Sequence, residues 1–254
     1  MTAAGVRAPL MHKLGSGATG RRLVALPPAG GGILPYLGLA GSLVRHGDVH
    51  AVRASGLVDG EEPDTDVPAM VARCLDAVLA LPTPPDALIG WSLGGVLAWE
   101  VAARLAERSG HTAAVVLLDS FVTLPPGSDL DAFAAAIADT LPPTASDEER
   151  ARFRRTAAAH VHAAAKHEVT VRHEGPALLL ACADGPVARQ HADWARLSAR
   201  LAGQVIEGGH FEVLGPARLP AAAGYVDEFL RQVFASAGKP TGESRLGESH
   251  GQPE

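Results

Sequence analysis

The stretch Ala87–Ala98, Ala-Leu-Ile-Gly-Trp-Ser-Leu-Gly-Gly-Val-Leu-Ala, constrains the fold more than any other. A short apolar run of strand length leads into Gly90-Trp91-Ser92-Leu93-Gly94, and a helical pattern follows. A strand that reverses sharply into a helix forces its apex residue into strained backbone geometry. It also brings backbone so close that only small side chains fit two residues either side of the apex. Ser92 is the apex. Its hydroxyl stands above the sheet, and the Leu93 N–H lies beside it at a helix N-terminus, where it can stabilise an oxyanion.

The rest of the chain alternates strands and helices. Arg22–Leu26, Val49–Val52, Ala87–Trp91, Ala113–Leu118, Ala177–Cys182 and Gln204–Ile206 read as strands, with a possible edge strand at Pro9–Leu14. Ile33–Leu43, Val67–Leu81, Leu93–Ser109, Ala192–Leu201 and Pro216–Ala235 read as helices. This alternation predicts one α/β domain, with a mostly parallel sheet and helices on both faces. It breaks once. Asp129–Leu141 and Asp147–Glu168 are helical stretches with no strand between them, so residues 122–175 are read as a helical lid over the sheet's C-terminal edge. The domain spans residues 21–235. Residues 1–20 are expected to be a loose lead-in, and residues 236–254, polar with scattered Gly and Pro, a disordered tail.

Composition narrows the function. At 254 residues with 47% hydrophobic side chains the chain can bury a full core, but aromatics are only 4%, so Ala, Leu and Val must fill it. A net charge of −6 without a basic block argues against nucleic acid. No apolar run approaches a membrane span, and no signal-peptide pattern opens the chain. The two cysteines, Cys74 and Cys182, lie in apolar segments and read as buried free thiols in a reducing cytoplasm.

A serine needs a base to become a nucleophile, and the base needs an orienting group. Of eleven histidines, only His210 falls just past the last strand, between glycine and Phe211. His160, His162, His167 and His173 cluster in the lid. No Cys or carboxylate stands at ligand spacing around them, so they read as solvated rather than as metal ligands. No metal or other cofactor is expected. Two carboxylates can orient His210. Asp119 ends the strand after the serine helix, and Asp184 ends the next strand. Asp119 is preferred, because Gly185-Pro186 makes Asp184 an ordinary turn residue. In the loop Pro27-Pro28-Ala29-Gly30-Gly31-Gly32, Ala29 is the first residue able to donate a backbone N–H, which makes it the second oxyanion donor.

Four segments together resemble a known family. Leu26-Pro27-Pro28-Ala29-Gly30-Gly31, Gly90-Trp91-Ser92-Leu93-Gly94-Gly95, Leu117-Leu118-Asp119-Ser120-Phe121 and Gly209-His210-Phe211 are similar in order and spacing to thioesterase domains of nonribosomal peptide and polyketide synthases. The resemblance runs from about Leu23 to Phe234. It implies the α/β-hydrolase fold, with Ser92 as nucleophile, His210 as base, Asp119 as acid, and Ala29 and Leu93 as oxyanion donors. The acid after the strand that follows the nucleophile resembles chain-releasing domains; in discrete proofreading thioesterases it more often lies where Asp184 is. The implied partner is an acyl or peptidyl carrier protein bearing a phosphopantetheine thioester. The implied reaction is hydrolysis through an acyl-serine, with acyl transfer or cyclisation as the alternative. No second serine has the Asp-Ser-Leu setting of a phosphopantetheine site, so the chain reads as free-standing. The basic residues Arg150, Arg152, Arg154 and Arg155 are a candidate carrier-docking face. Phe133, Ile137 and Phe153 are the largest apolar lid residues, so a roomy chamber is expected beneath the lid.

Overall fold

The computed structural model describes residues 8–237. Seven strands form one sheet in the order β1-β3-β2-β4-β5-β6-β7. They are β1 (Met11–Gly15), β2 (Arg22–Leu26), β3 (Asp48–Val52), β4 (Ala87–Trp91), β5 (Ala114–Leu118), β6 (Ala177–Cys182) and β7 (Leu201–Ile206). Only β1 is antiparallel, against β3. The remaining pairs are parallel. Parallel strands buried on both faces need unbroken apolar runs, and β5, Ala-Val-Val-Leu-Leu, is buried at every position.

The pleat divides that run between two cores. Val115 and Leu117, with Val24, Leu26, Leu88 and Leu179, pack beneath α2 (Val67–Leu79) and α3 (Leu93–Ser109). Val116 and Leu118, with Leu23, Ile89 and Leu180, pack beneath α1 (Leu37–Leu43) and α7 (Leu219–Ala237). Each fully buried Leu or Val contributes about 1.5–3 kcal/mol.

The lid consists of α4 (Leu130–Ala138) and α5 (Asp147–Ala165), inserted between β5 and β6. Asp129 caps α4 by accepting from Ala132 N. Ser146 and Glu149 form a reciprocal capping box at the start of α5. Pro142 and Pro143 separate the two helices, and the Arg150 guanidinium donates to both of their carbonyls. One arginine of the candidate docking face is therefore engaged within the lid itself.

Two expectations are corrected. The helix read at Ala192–Leu201 is α6 (Val187–Ala195), and the last strand begins at Leu201 rather than Gln204. Pro186 starts the helix early. The six-residue β6 pairs along its whole length, from Ala177–Leu201 to Cys182–Ile206, so sheet pairing takes Leu201, which local periodicity assigned to the helix, and adds Ala202 and Gly203 to the strand. The N-terminal edge strand is present as β1, inside the expected lead-in. Residues 1–7 of that lead-in and residues 238–254 of the expected tail lie outside the described residues.

Candidate active site

β4 ends at Trp91, and α3 begins at Leu93 with Ser92 as its N-cap. Ser92 has φ 56 and ψ −124. Among the described residues only one other non-glycine, Asp119 at φ 45, has a positive φ. Such conformations cost about 1–3 kcal/mol each and persist where the surroundings over-determine them. The surroundings at Ser92 explain the bracketing glycines. A Cβ on Gly90 would lie 2.0 Å from the Gly94 backbone, and one on Gly94 would lie 2.5 Å from the Leu26 carbonyl oxygen.

Asp119 is 2% exposed. Its Oδ2 lies 2.7 Å from His210 Nδ1. Its Oδ1 accepts from Cys182 N at 3.0 Å and Gln190 Nε2 at 3.2 Å. Burial pushes the Asp119 pKa up, but hydrogen bonds from His210, Cys182 and Gln190 outweigh it, and the net shift is downward. Asp184 is exposed and lies in the wall of the same cleft, without a hydrogen bond to His210. Three aromatic rings neighbour the His210 ring: Phe211 at 5.2 Å, Trp91 at 5.4 Å and Phe133 from α4 at 5.5 Å. Ser92, Asp119 and His210 line one cleft of about 520 Å3, which also borders Phe133 and Cys182. The structure thus hydrogen-bonds His210 to Asp119 and brings Ser92 to the same cleft, without a direct hydrogen bond between Ser92 and His210.

On its inner side Ser92 borders a slot of about 30 Å3, shared with Ala29 and Leu93. That space holds about one water molecule. Ala29 N donates to no backbone carbonyl among the described residues, and Leu93 N, at the first position of α3, has no acceptor within its helix. A family model described as thioesterase domain matches residues 21–230. The chain belongs to the thioesterase family.

The chain is similar to segments of nonribosomal peptide and polyketide synthases. It is 39% identical over 127 residues to the AMB antimetabolite synthetase AmbE of Pseudomonas aeruginosa, a match that covers 49% of this chain and 6% of the synthetase. It is 38% identical over 109 residues to the polyketide synthase GfsE of Streptomyces halstedii, covering 42% of this chain and 3% of GfsE. The matched segments are thus small parts of far longer chains. Among solved structures, a Vlm2 thioesterase domain bound with a dodecadepsipeptide superposes with a TM-score of 0.73 at 22% identity, over 87% of this chain and 98% of that domain. The type II thioesterase BorB from the borrelidin biosynthetic cluster gives a TM-score of 0.72 at 25% identity, over 88% and 98%. The fold is that of the α/β-hydrolases, as expected.

Several residues that hold the candidate site carry no local motif. The Tyr36 hydroxyl donates to Leu26 O at 2.7 Å and accepts from Trp91 N at 2.9 Å. It ties the strand leading to Ala29 to the strand leading to Ser92. Burial raises its pKa, so it stays a neutral donor. Tyr36→Phe leaves buried partners unsatisfied and is expected to cost about 1–3 kcal/mol. Thermal denaturation should therefore show a fall of several degrees; an unchanged Tm would contradict this bracing role. Gln190 bridges Asp119 and the Ser120 carbonyl from α6. Cys182 is a buried free thiol. Burial pushes it up to about 12, so it borders the cleft as a protonated, unreactive group.

The lid histidines are not uniformly solvated. His162 is exposed, but His167 Nε2 lies 2.6 Å from the buried Glu100. His173 Nε2 donates to Ala113 O at 3.0 Å. His160 is 1% exposed on the inward face of α5, between Ala157 and Val161. Its ring lies beside the Pro28 carbonyl, and neither ring nitrogen reaches full hydrogen-bond geometry. Burial lowers the His160 pKa to about 4. The unfolded chain then takes up this proton near pH 6.5 while the folded chain resists it. Stability is therefore full above pH 6.5 and falls by roughly 3 kcal/mol as pH drops towards 4. Melting temperatures across that range should decline with acid and decline less in His160→Phe; parallel slopes would contradict the assignment.

Proposed function

We propose that this protein is a serine thioesterase that hydrolyses acyl thioesters carried on the phosphopantetheine arm of an acyl or peptidyl carrier protein. The observation that carries this reading is the Asp119–His210 hydrogen bond facing the same cleft as the strained Ser92. His210 Nδ1–H donates to Asp119, which fixes the ring so that Nε2 is free to act as base. Nε2 takes the Ser92 hydroxyl proton as Oγ attacks the thioester carbonyl carbon. The resulting oxyanion accepts from the N–H groups of Ala29 and Leu93, each worth about 3–4 kcal/mol in the transition state. The C–S bond breaks, and the pantetheine sulfur leaves with the proton held by His210. An acyl-Ser92 ester remains.

Water then attacks that ester with His210 as base. The Ser92 oxygen recovers the proton, and the free acid departs. The cleft beside Ser92 is about 520 Å3. That is room for an acyl chain and for the water that the hydrolytic reading requires. A second groove of about 730 Å3 lies on the other side of α4 and reaches Ala29 and Trp91. Together the two spaces give a long substrate two arms of approach, in keeping with the roomy lid expected from sequence.

The test is turnover of a carrier protein loaded with an acyl phosphopantetheine, run in 18O-labelled water. Free thiol and singly labelled free acid in equal amounts are expected. Thiol release with the acyl group recovered on a hydroxyl or amine would replace hydrolysis by transfer. No thiol release would overturn the reading.

A further inference from the structure

The loop that offers Ala29 N–H is a turn with little side chain of its own. Gly31 N donates to Pro28 O at 2.8 Å, closing a turn whose third and fourth residues, Gly30 and Gly31, have φ of 86 and 78. A turn made of paired glycines is held only by what packs against it. On one side stands Ala54, whose N–H donates to Gly31 O at 3.0 Å. On the other side stands the lid. A Cβ on Gly30 would lie 2.8 Å from Phe153 Cζ of α5 and 2.9 Å from Ile137 Cγ2 of α4. Both lid helices therefore bear on the residue next to Ala29. Two further contacts seat α5 on the same region. Thr156 Oγ1 donates to Gly56 O at 3.2 Å, and the buried His160 ring lies beside Pro28.

We infer that Phe153 and Ile137 are positioning residues: the seated lid clamps the Pro28–Gly31 turn so that the Ala29 N–H faces the oxyanion, and lid opening releases that donor. The inference rests on the reading of Ala29 as an oxyanion donor. Its consequence is a coupling between access and chemistry. With the lid open, substrate and product exchange while the oxyanion site is half assembled. With the lid seated, both donors are in place and the ester or thioester reacts.

The test is a double-mutant cycle on acyl-pantetheine thioester turnover. Phe153→Ala is expected to lower kcat by about 10–100-fold with KM little changed. Phe153→Leu, which keeps an apolar contact over Gly30, should restore most of it. Ala29→Pro removes the N–H, and proline suits the second position of a turn whose third residue has positive φ. It should lower kcat by about 10²–10³-fold. Adding Phe153→Ala to Ala29→Pro should then cost less than about twofold, because the donor that Phe153 positions is already gone. Equal losses in both backgrounds, or a change in KM alone, would overturn the inference and leave the proposed chemistry standing. An unchanged kcat in Ala29→Pro would remove Ala29 from the mechanism and the inference with it. If Ala29→Pro does not fold by circular dichroism, the isotope-edited infrared band of the acyl-Ser92 carbonyl decides. A higher frequency in Phe153→Ala than in wild type reports a weakened oxyanion grip, and an identical band contradicts the inference.

Discussion

Ser92→Ala is expected to lower thioester turnover by on the order of 10⁵–10⁶-fold without unfolding the chain. Ser92 Oγ takes part in no hydrogen bond among the described residues, and the helix it precedes is not capped by its side chain. The loss is therefore chemical rather than structural. The strained backbone at φ 56 is unaffected, since alanine keeps the same Cβ. Thiol release measures the activity, and circular dichroism confirms the fold. Residual turnover within tenfold of wild type would mean that the nucleophile lies elsewhere.

The second large effect separates the two carboxylates. Asp119→Asn keeps the shape of the side chain but offers His210 an amide where it needs an ionised acceptor, and is expected to cost about 10³–10⁴ in kcat. Asp184→Asn, at an exposed turn, is expected to stay within about twofold. The reverse pattern would transfer the role to Asp184. The downward shift of Asp119 also has a sign. A carboxylate whose folded pKa is depressed adds stability that is complete above the unfolded value, about 3.9, and is lost as pH falls through the lower folded value. Protonation of Asp119 should therefore leave no limb in the pH–rate profile above about pH 4.

The fold was legible where local chemistry and tertiary demand agree. Gly90 is a case: the clash that excludes a side chain there is with the backbone of Gly94, within a turn spelled out in five residues. The position of Asp119 at the end of the apolar strand after the serine helix was legible, and the structure hydrogen-bonds it to His210. What escaped was long-range. Tyr36 joins two strands, β2 at Leu26 and β4 at Trp91, the second of them 55 residues from its own position. Gln190 reaches Asp119 across 71 residues. His160 is a polar letter in the Ala-rich helix α5, and His173 lies in the polar loop before β6, so nothing in the pattern said that they face inward. The start of β7 was lost for the same reason. Its residues Ala202 to Val205 are exposed on an edge strand, and only their pairing with β6 makes them a strand.

Phe133, Ile137 and Phe153 stood out in sequence only by size. The structure gives each a distinct contact: Phe133 covers the His210 ring, while Ile137 and Phe153 cover Gly30.

The measurement that bears most directly on the central claim is intact-protein mass spectrometry after brief exposure to an acyl-pantetheine thioester, followed by peptide mapping. The account predicts one adduct of acyl mass on the peptide containing Ser92, decaying as free acid appears and missing in Ser92→Ala. Acid formed at the wild-type rate in Ser92→Ala, or an adduct mapped to any other residue, would contradict it.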